Sequence, residues 1–67
     1  MEKFSERLKE LRLEKGLSIQ ALSKVVGIGS STICRWENRQ SDIKSNELII
    51  LAKYFGVSTD YLLGLED

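Results

Sequence analysis

Between Ser30 and Asn38 the sequence reads SSTICRWEN, small and hydrogen-bonding side chains interleaved with two apolar ones. On a helix turning about 100° per residue, with Ile33 set at 0°, Trp36 falls at about 300° and Glu37 at about 40°. Ser31, Cys34, Arg35 and Asn38 fall between about 100° and about 200°, and Ser30 lies near the edge at about 60°. Ile33 and Trp36 therefore face inward, and the opposite face carries short side chains with one long cation. Such a face can enter the major groove of duplex DNA. Bulk would block the approach, whereas Arg bridges O6 and N7 of guanine and Ser serves donor or acceptor base edges. The same face would also suit a solvated surface helix, and the angles alone do not choose between the two.

Other chemistry finds little material. The 67 residues contain no histidine, a single cysteine (Cys34), no glycine-rich phosphate loop and no Gly-x-Ser-x-Gly elbow, so no enzyme activity is expected. Cys34 has no histidine to activate it as a nucleophile and no second cysteine to bridge to. Neither a metal site nor a disulfide is available to brace the fold, which must rest on packing at a length where about 60% of the unfolded surface is buried. One domain, 1–67, is expected. The charged amphipathic start and the unpaired thiol point to the cytoplasm. Apolar runs such as Leu48 to Ala52 extend over about five residues where a membrane helix needs roughly 20.

Ten basic residues balance ten acidic ones, but unevenly along the chain. From Lys3 to Lys44 nine bases stand against five acids, a net of +4; from Ser45 onward Lys53 stands against Glu47, Asp60, Glu66 and Asp67. This polarity is compatible with one basic face, as it is with many ordinary helical domains.

The elements that must position the Ser30 to Asn38 face follow from periodicity and punctuation. Phe4, Leu8, Leu11 and Lys15 form a stripe at helical spacing, predicting a first helix over about Lys3 to Lys15 that Gly16 ends. Ser18 is an N-cap for a second helix whose apolar face is Leu22, Val25 and Val26, stopped by Gly27. Ile28 and Gly29 separate it from the third, and two short helices joined by so brief a turn are a helix-turn-helix signature. After a polar loop to Lys44, Ser45 caps a fourth helix with Leu48, Leu51, Ala52 and Phe55 buried. Ser58 caps a fifth carrying Asp60, Tyr61, Leu62 and Leu63 before Gly64. The fold class is all-α, five short helices.

The run LSIQALSKVVGIGSSTICRWEN, Leu17 to Asn38, resembles the helix-turn-helix of the phage repressor and Cro family, also called the Xre family. RLKELR at Arg7 to Arg12 is similar to that family's first helix, and LAKYFGVSTDYLL at Leu51 to Leu63 to its fourth and fifth, so the likeness covers about Phe4 to Gly64. It implies a lambda-repressor-like domain in which Ser30 to Asn38 is the recognition helix. Carried over by position, Ser30, Ser31 and Arg35 read base edges, with Cys34 beside them. Ser18, Ile19, Asn38, Arg39 and Lys44 touch phosphates. The family often has Gln where Ile19 stands, and Gln20 is the substitute; Gly29 stands where Ser or Thr usually caps the recognition helix.

The resemblance also implies that Arg12 and Glu37, which could each be an exposed helix charge, pair as a bridge between the first and third helices. Trp36 is a packing residue. Leu62, Leu63 and Leu65 gather more apolar surface than a short terminal helix can bury. The partner implied is a second copy meeting at Tyr61, Leu62 and Leu65, which sets two recognition helices about 34 to 36 Å apart on a symmetric operator. The function implied is a sequence-specific transcriptional regulator, a repressor, of prokaryotic or phage cytoplasm. It would be a homodimer on double-stranded DNA, without cofactor, small-molecule ligand or membrane. The alternative is an antitoxin-type or protein-interaction module using the C-terminal apolar surface.

Overall fold

Apolar spacings of three and four give five helices: α1 (Glu2–Glu14), α2 (Ile19–Val26), α3 (Ser30–Glu37), α4 (Ser45–Phe55) and α5 (Thr59–Leu63). The computed structural model describes residues 2–40 and 42–66; Met1, Asp67 and Ser41, the last in the expected polar loop, lie outside them. No strand occurs among the described residues, and the all-α class stands. The body measures 27 × 24 × 20 Å.

Local chemistry sets the helix ends. Ser18 Oγ accepts from the Ala21 N–H at 3.0 Å and Ser58 Oγ from the Tyr61 N–H at 2.9 Å, each satisfying a donor that the first helical turn leaves open. α4 begins one position earlier than expected. Lys44 occupies the cap position and Ser45 is already helical, because Glu47 Oε1 reaches back to accept the Lys44 N–H at 3.3 Å. α3 has no side-chain cap, its preceding residue being Gly29.

α1 packs on α3 and α5, α2 on α3 and α4, and α4 on α5. Their shared core is Phe4, Leu8, Leu22, Ile28, Ile33, Trp36, Leu48, Leu51, Ala52 and Leu62. Phe4 and Trp36 meet edge to face with ring centroids 6.0 Å apart, an arrangement favoured by the ring quadrupoles. Val25 departs from expectation: it is 53% exposed. The inward stripe of α2 is Ile19, Leu22 and Val26, and Val25 lies about 90° from its centre. Lys15 likewise ends outside α1 and exposed, its ammonium 5.3 Å from the Tyr54 ring centroid.

One polar constellation crosses this core. Arg12 Nε donates to Glu37 Oε2 at 2.7 Å and its Nη2 to Oε1 at 3.0 Å, a two-pronged bridge whose side chains are only 10% and 6% exposed. The remaining nitrogen, Nη1, donates to the Leu17 carbonyl at 2.7 Å. One guanidinium thereby ties α1, the turn into α2 and the end of α3. Hydrogen bonding to Glu37 holds its pKa above the ordinary arginine value, outweighing the opposing effect of burial. With the folded value raised, the arginine's charge contributes stability at neutral pH that is lost as pH rises through the arginine range.

The chain leaves four helices through a glycine in the left-handed region: Gly16, Gly27, Gly56 and Gly64. At Gly64 space is also short, because a Cβ there would lie 2.4 Å from Lys3 Cβ at the start of α1. α3 closes differently. Arg39, the only non-glycine with positive φ (61°) among the described residues, occupies the position the glycines take elsewhere. Its N–H reaches the Trp36 carbonyl at 3.1 Å and the Gln40 N–H the Arg35 carbonyl at 2.8 Å, the paired closure of a Schellman motif.

Two outcomes follow for stability. Arg12→Ala strands a buried carboxylate and is expected to cost about 3 to 5 kcal/mol by urea unfolding; a loss below about 1 kcal/mol would show that Glu37 finds water instead. Arg39→Gly removes the left-handed penalty of a side chain and is expected to raise stability by about 1 kcal/mol, read as a higher urea midpoint at unchanged slope.

Candidate nucleic-acid interface

The turn between α2 and α3 decides where the candidate face points. Gly27, at φ 71°, lets α2 end abruptly, and Ile28 then inserts into the core at 7% exposure. Ser23 Oγ donates to the Ile28 carbonyl at 2.5 Å, so the second helix holds the turn that follows it. From there α3 runs with Ile33 and Trp36 fully covered and Ser31, Cys34, Arg35 and Asn38 exposed. Ser30 and Thr32 are half-buried. The angular division into an inward apolar face and an outward polar one is thus the one the structure displays.

On the outward face, Arg35 Nη2 lies 3.4 Å from Thr32 Oγ1, a long contact that turns the guanidinium toward the N-terminal half of α3. Asn38 folds back on its own helix, its Nδ2 donating to the Cys34 carbonyl at 2.9 Å and to Cys34 Sγ at 3.3 Å. Any phosphate contact from Asn38 therefore competes with these local bonds. Cys34 is an exposed free thiol.

The residues expected at phosphates divide. Ser18 and Gln20 are exposed at the start of α2, Ser18 still having its hydroxyl proton to donate while its oxygen caps the helix. Ile19 turns inward and packs against the core, so its side chain is withdrawn from any anion and Gln20 alone of the two presents a polar group. Arg39 is half-exposed at the end of α3, its Nη2 3.4 Å from Glu6 Oε1 on α1. Lys44 is exposed at the start of α4. Since α2 packs on both α3 and α4, the starts of α2 and α4 and the face of α3 belong to one rigid arrangement.

The three residues expected at a dimer contact also part company. Leu62 is fully buried in the core, because α5 turns it toward α1 and α4, and it cannot line an interface. Tyr61 is half-buried beneath the Arg7 guanidinium, 4.3 Å from the ring centroid. Leu65 is 72% exposed.

Several contacts escape sequence reasoning. Ser5, buried in α1, donates to the Trp36 carbonyl at 2.5 Å. Arg7 donates to the Tyr61 carbonyl at 2.6 Å and also to the Glu66 carbonyl, and Glu6 meets Arg39. No spacing rule joins residues 31 to 59 positions apart; the one available signal was that Ser5 and Arg12 sit on the same stripe as Phe4 and Leu8. Among the described residues no group of carboxylates and thiol is arranged to hold a metal ion, and no helix is long and apolar enough to cross a membrane.

Comparison with known proteins bears on the family and the fold. Residues 8–62 match the family model HTH_3, described as helix-turn-helix. An uncharacterized HTH-type transcriptional regulator, YobD of Bacillus subtilis, is 34% identical over 64 residues, covering 96% of this chain and 57% of its own. Repressor protein C2 of Salmonella phage P22 is 32% identical over 60 residues, covering 90% of this chain and 28% of its own. The chain thus spans about half the length, or less, of such relatives. Among solved structures, the restriction-modification controller protein C.AhdI of Aeromonas hydrophila superposes with a TM-score of 0.82 at 31% identity, covering 91% of this chain and 92% of that one. With a family match over most of its length and regulators of transcription as its relatives, the chain belongs to the helix-turn-helix family of the Xre, Cro and C1 type.

Proposed function

We propose that this chain is a sequence-specific double-stranded DNA-binding transcriptional regulator that places α3 in the major groove. The observation that carries the reading is the face of α3: Ser31, Cys34 and Arg35 stand exposed on a helix whose other side, Ile33 and Trp36, is wholly committed to the core. Arg35 reads guanine through its paired donors, while Ser30, Ser31 and Cys34 contact neighbouring base edges. Ser18, Gln20, Arg39 and Lys44 hold phosphates, aided by the positive N-terminus of α2; Ile19 contributes packing, and Asn38 joins only by giving up its bonds to Cys34. Readout of this kind uses side chains and backbone alone and takes no cofactor.

The reading includes a homodimer. A single α3 covers only a few base pairs, and two copies related by a two-fold axis would read half-sites about one helical turn apart. Leu65, just past α5, and Ile49 and Ile50 on α4 supply the exposed apolar surface for it, α4 and α5 being packed together; Leu62 has no share. Occupying a promoter operator excludes polymerase, so repression is the proposed outcome, in the cytoplasm where that DNA lies.

Selection of binding sites from random duplex DNA at roughly physiological salt tests this directly. A palindrome with half-sites about 10 base pairs apart is expected, and recovery of no enriched sequence would overturn the reading. Arg35→Ala is expected to lose about 1 to 3 kcal/mol at one base position per half-site with helicity unchanged; uniform weakening over all sequences would reassign Arg35 to a phosphate. Leu65→Asp is expected to shift the sedimentation coefficient toward the monomer, and an unaltered dimer would place the contact elsewhere.

A further inference from the structure

Glu6 takes no part in the proposed readout, yet its carboxylate stands 3.4 Å from the Arg39 guanidinium. Both partners are fixed at their roots. α1 packs directly on α3, and the Arg39 backbone is locked in the left-handed region by the hydrogen bonds that close α3. Their charged heads, in contrast, are each half-exposed. A bridge so exposed is weak and exchanges readily with other ligands.

A guanidinium binds carboxylate and phosphate through the same planar set of donors. What Glu6 holds in the free protein is what a DNA phosphate would take in the complex, and two anions drawn to one guanidinium repel each other. In a chain whose ten basic and ten acidic residues cancel, a single phosphate contact is a large share of the electrostatic drive to bind.

We propose that Glu6 competes with the DNA backbone for Arg39 and so sets the strength of the phosphate contact at the end of α3. This inference rests on the reading of Arg39 as a phosphate-binding residue. Glu6 acts through Arg39 rather than by touching DNA. Removing its charge takes one competing carboxylate away from the guanidinium without disturbing the core, since Glu6 itself is exposed.

Affinity for a short duplex of unrelated sequence, titrated with the whole chain at several salt concentrations, tests the proposal. Glu6→Gln is expected to tighten binding about three- to tenfold at low salt, with the gain shrinking as salt rises. Glu10→Gln, an exposed acid one turn further along α1, serves as the control and is expected to change affinity less than about twofold. In an Arg39→Gly background, which keeps the helix closure, the gain from Glu6→Gln is expected to vanish. Equal gains from Glu6→Gln and Glu10→Gln would show diffuse repulsion and overturn the proposal, as would a gain that survives intact without Arg39. Loss of affinity on Glu6→Gln would also overturn it, by showing that Glu6 aligns Arg39 for DNA. If Arg39→Gly weakens binding but Glu6→Gln does nothing, only this inference fails; if no form of the chain binds duplex DNA, the proposed function fails with it.

Discussion

The Arg12 bridge is the constraint on which the orientation of the candidate face depends. A core of ten apolar side chains from all five helices and the α2–α3 turn can hold them together, yet apolar contact is non-directional and tolerates sliding. The bridge is directional. Its three nitrogens reach two acceptors on α3 and one in the turn leading to α2, which fixes the rotation of α3 about its own axis relative to α1. Rotation is the quantity that matters for a helix with one face in the core and the other outward: a turn that carried Glu37 outward would swing Arg35 toward the core. Retaining two charges in so small an interior costs desolvation that only good geometry offsets, and here no buried side-chain polar atom among the described residues lacks a partner.

The helices and the polar face of α3 could be read from the sequence because both rest on short-range periodicity. Residues three and four apart share a face whatever the rest of the chain does, so Ile33 with Trp36, and Leu8 with Phe4, were recoverable from spacing alone. Val25 was not. α2 is short enough that Val25 and Ile19 offer rival stripes with Leu22, and only the position of α3 and α4 selects Ile19. The same selection removed Ile19 from the phosphate contacts. Leu62 shows the converse error, since a count of terminal leucines overlooks that α1 arrives from the other end of the chain to cover one of them. Glu6 could not be foreseen because its partner is defined by the path of α3's last turn.

Arg39 illustrates how local cost and function coincide. Four helices end on glycine and the one carrying the candidate face ends on arginine in the same backbone conformation. A cation is thereby set at the carbonyl end of α3, where it complements the helix dipole, at the expense of a strained backbone. The exposed bridge to Glu6 keeps the side chain close to α1 without burying it.

Gly64 and Lys3 approach so closely that the folded unit ends beside its own beginning. Whatever precedes α1 and whatever follows α5 set out from one spot on the surface. In architectural terms the unit hangs from a single point of suspension, not strung between two, so tension applied through its two ends would load the α1–α5 contact first and leave the α2–α3 pair outside the line of force.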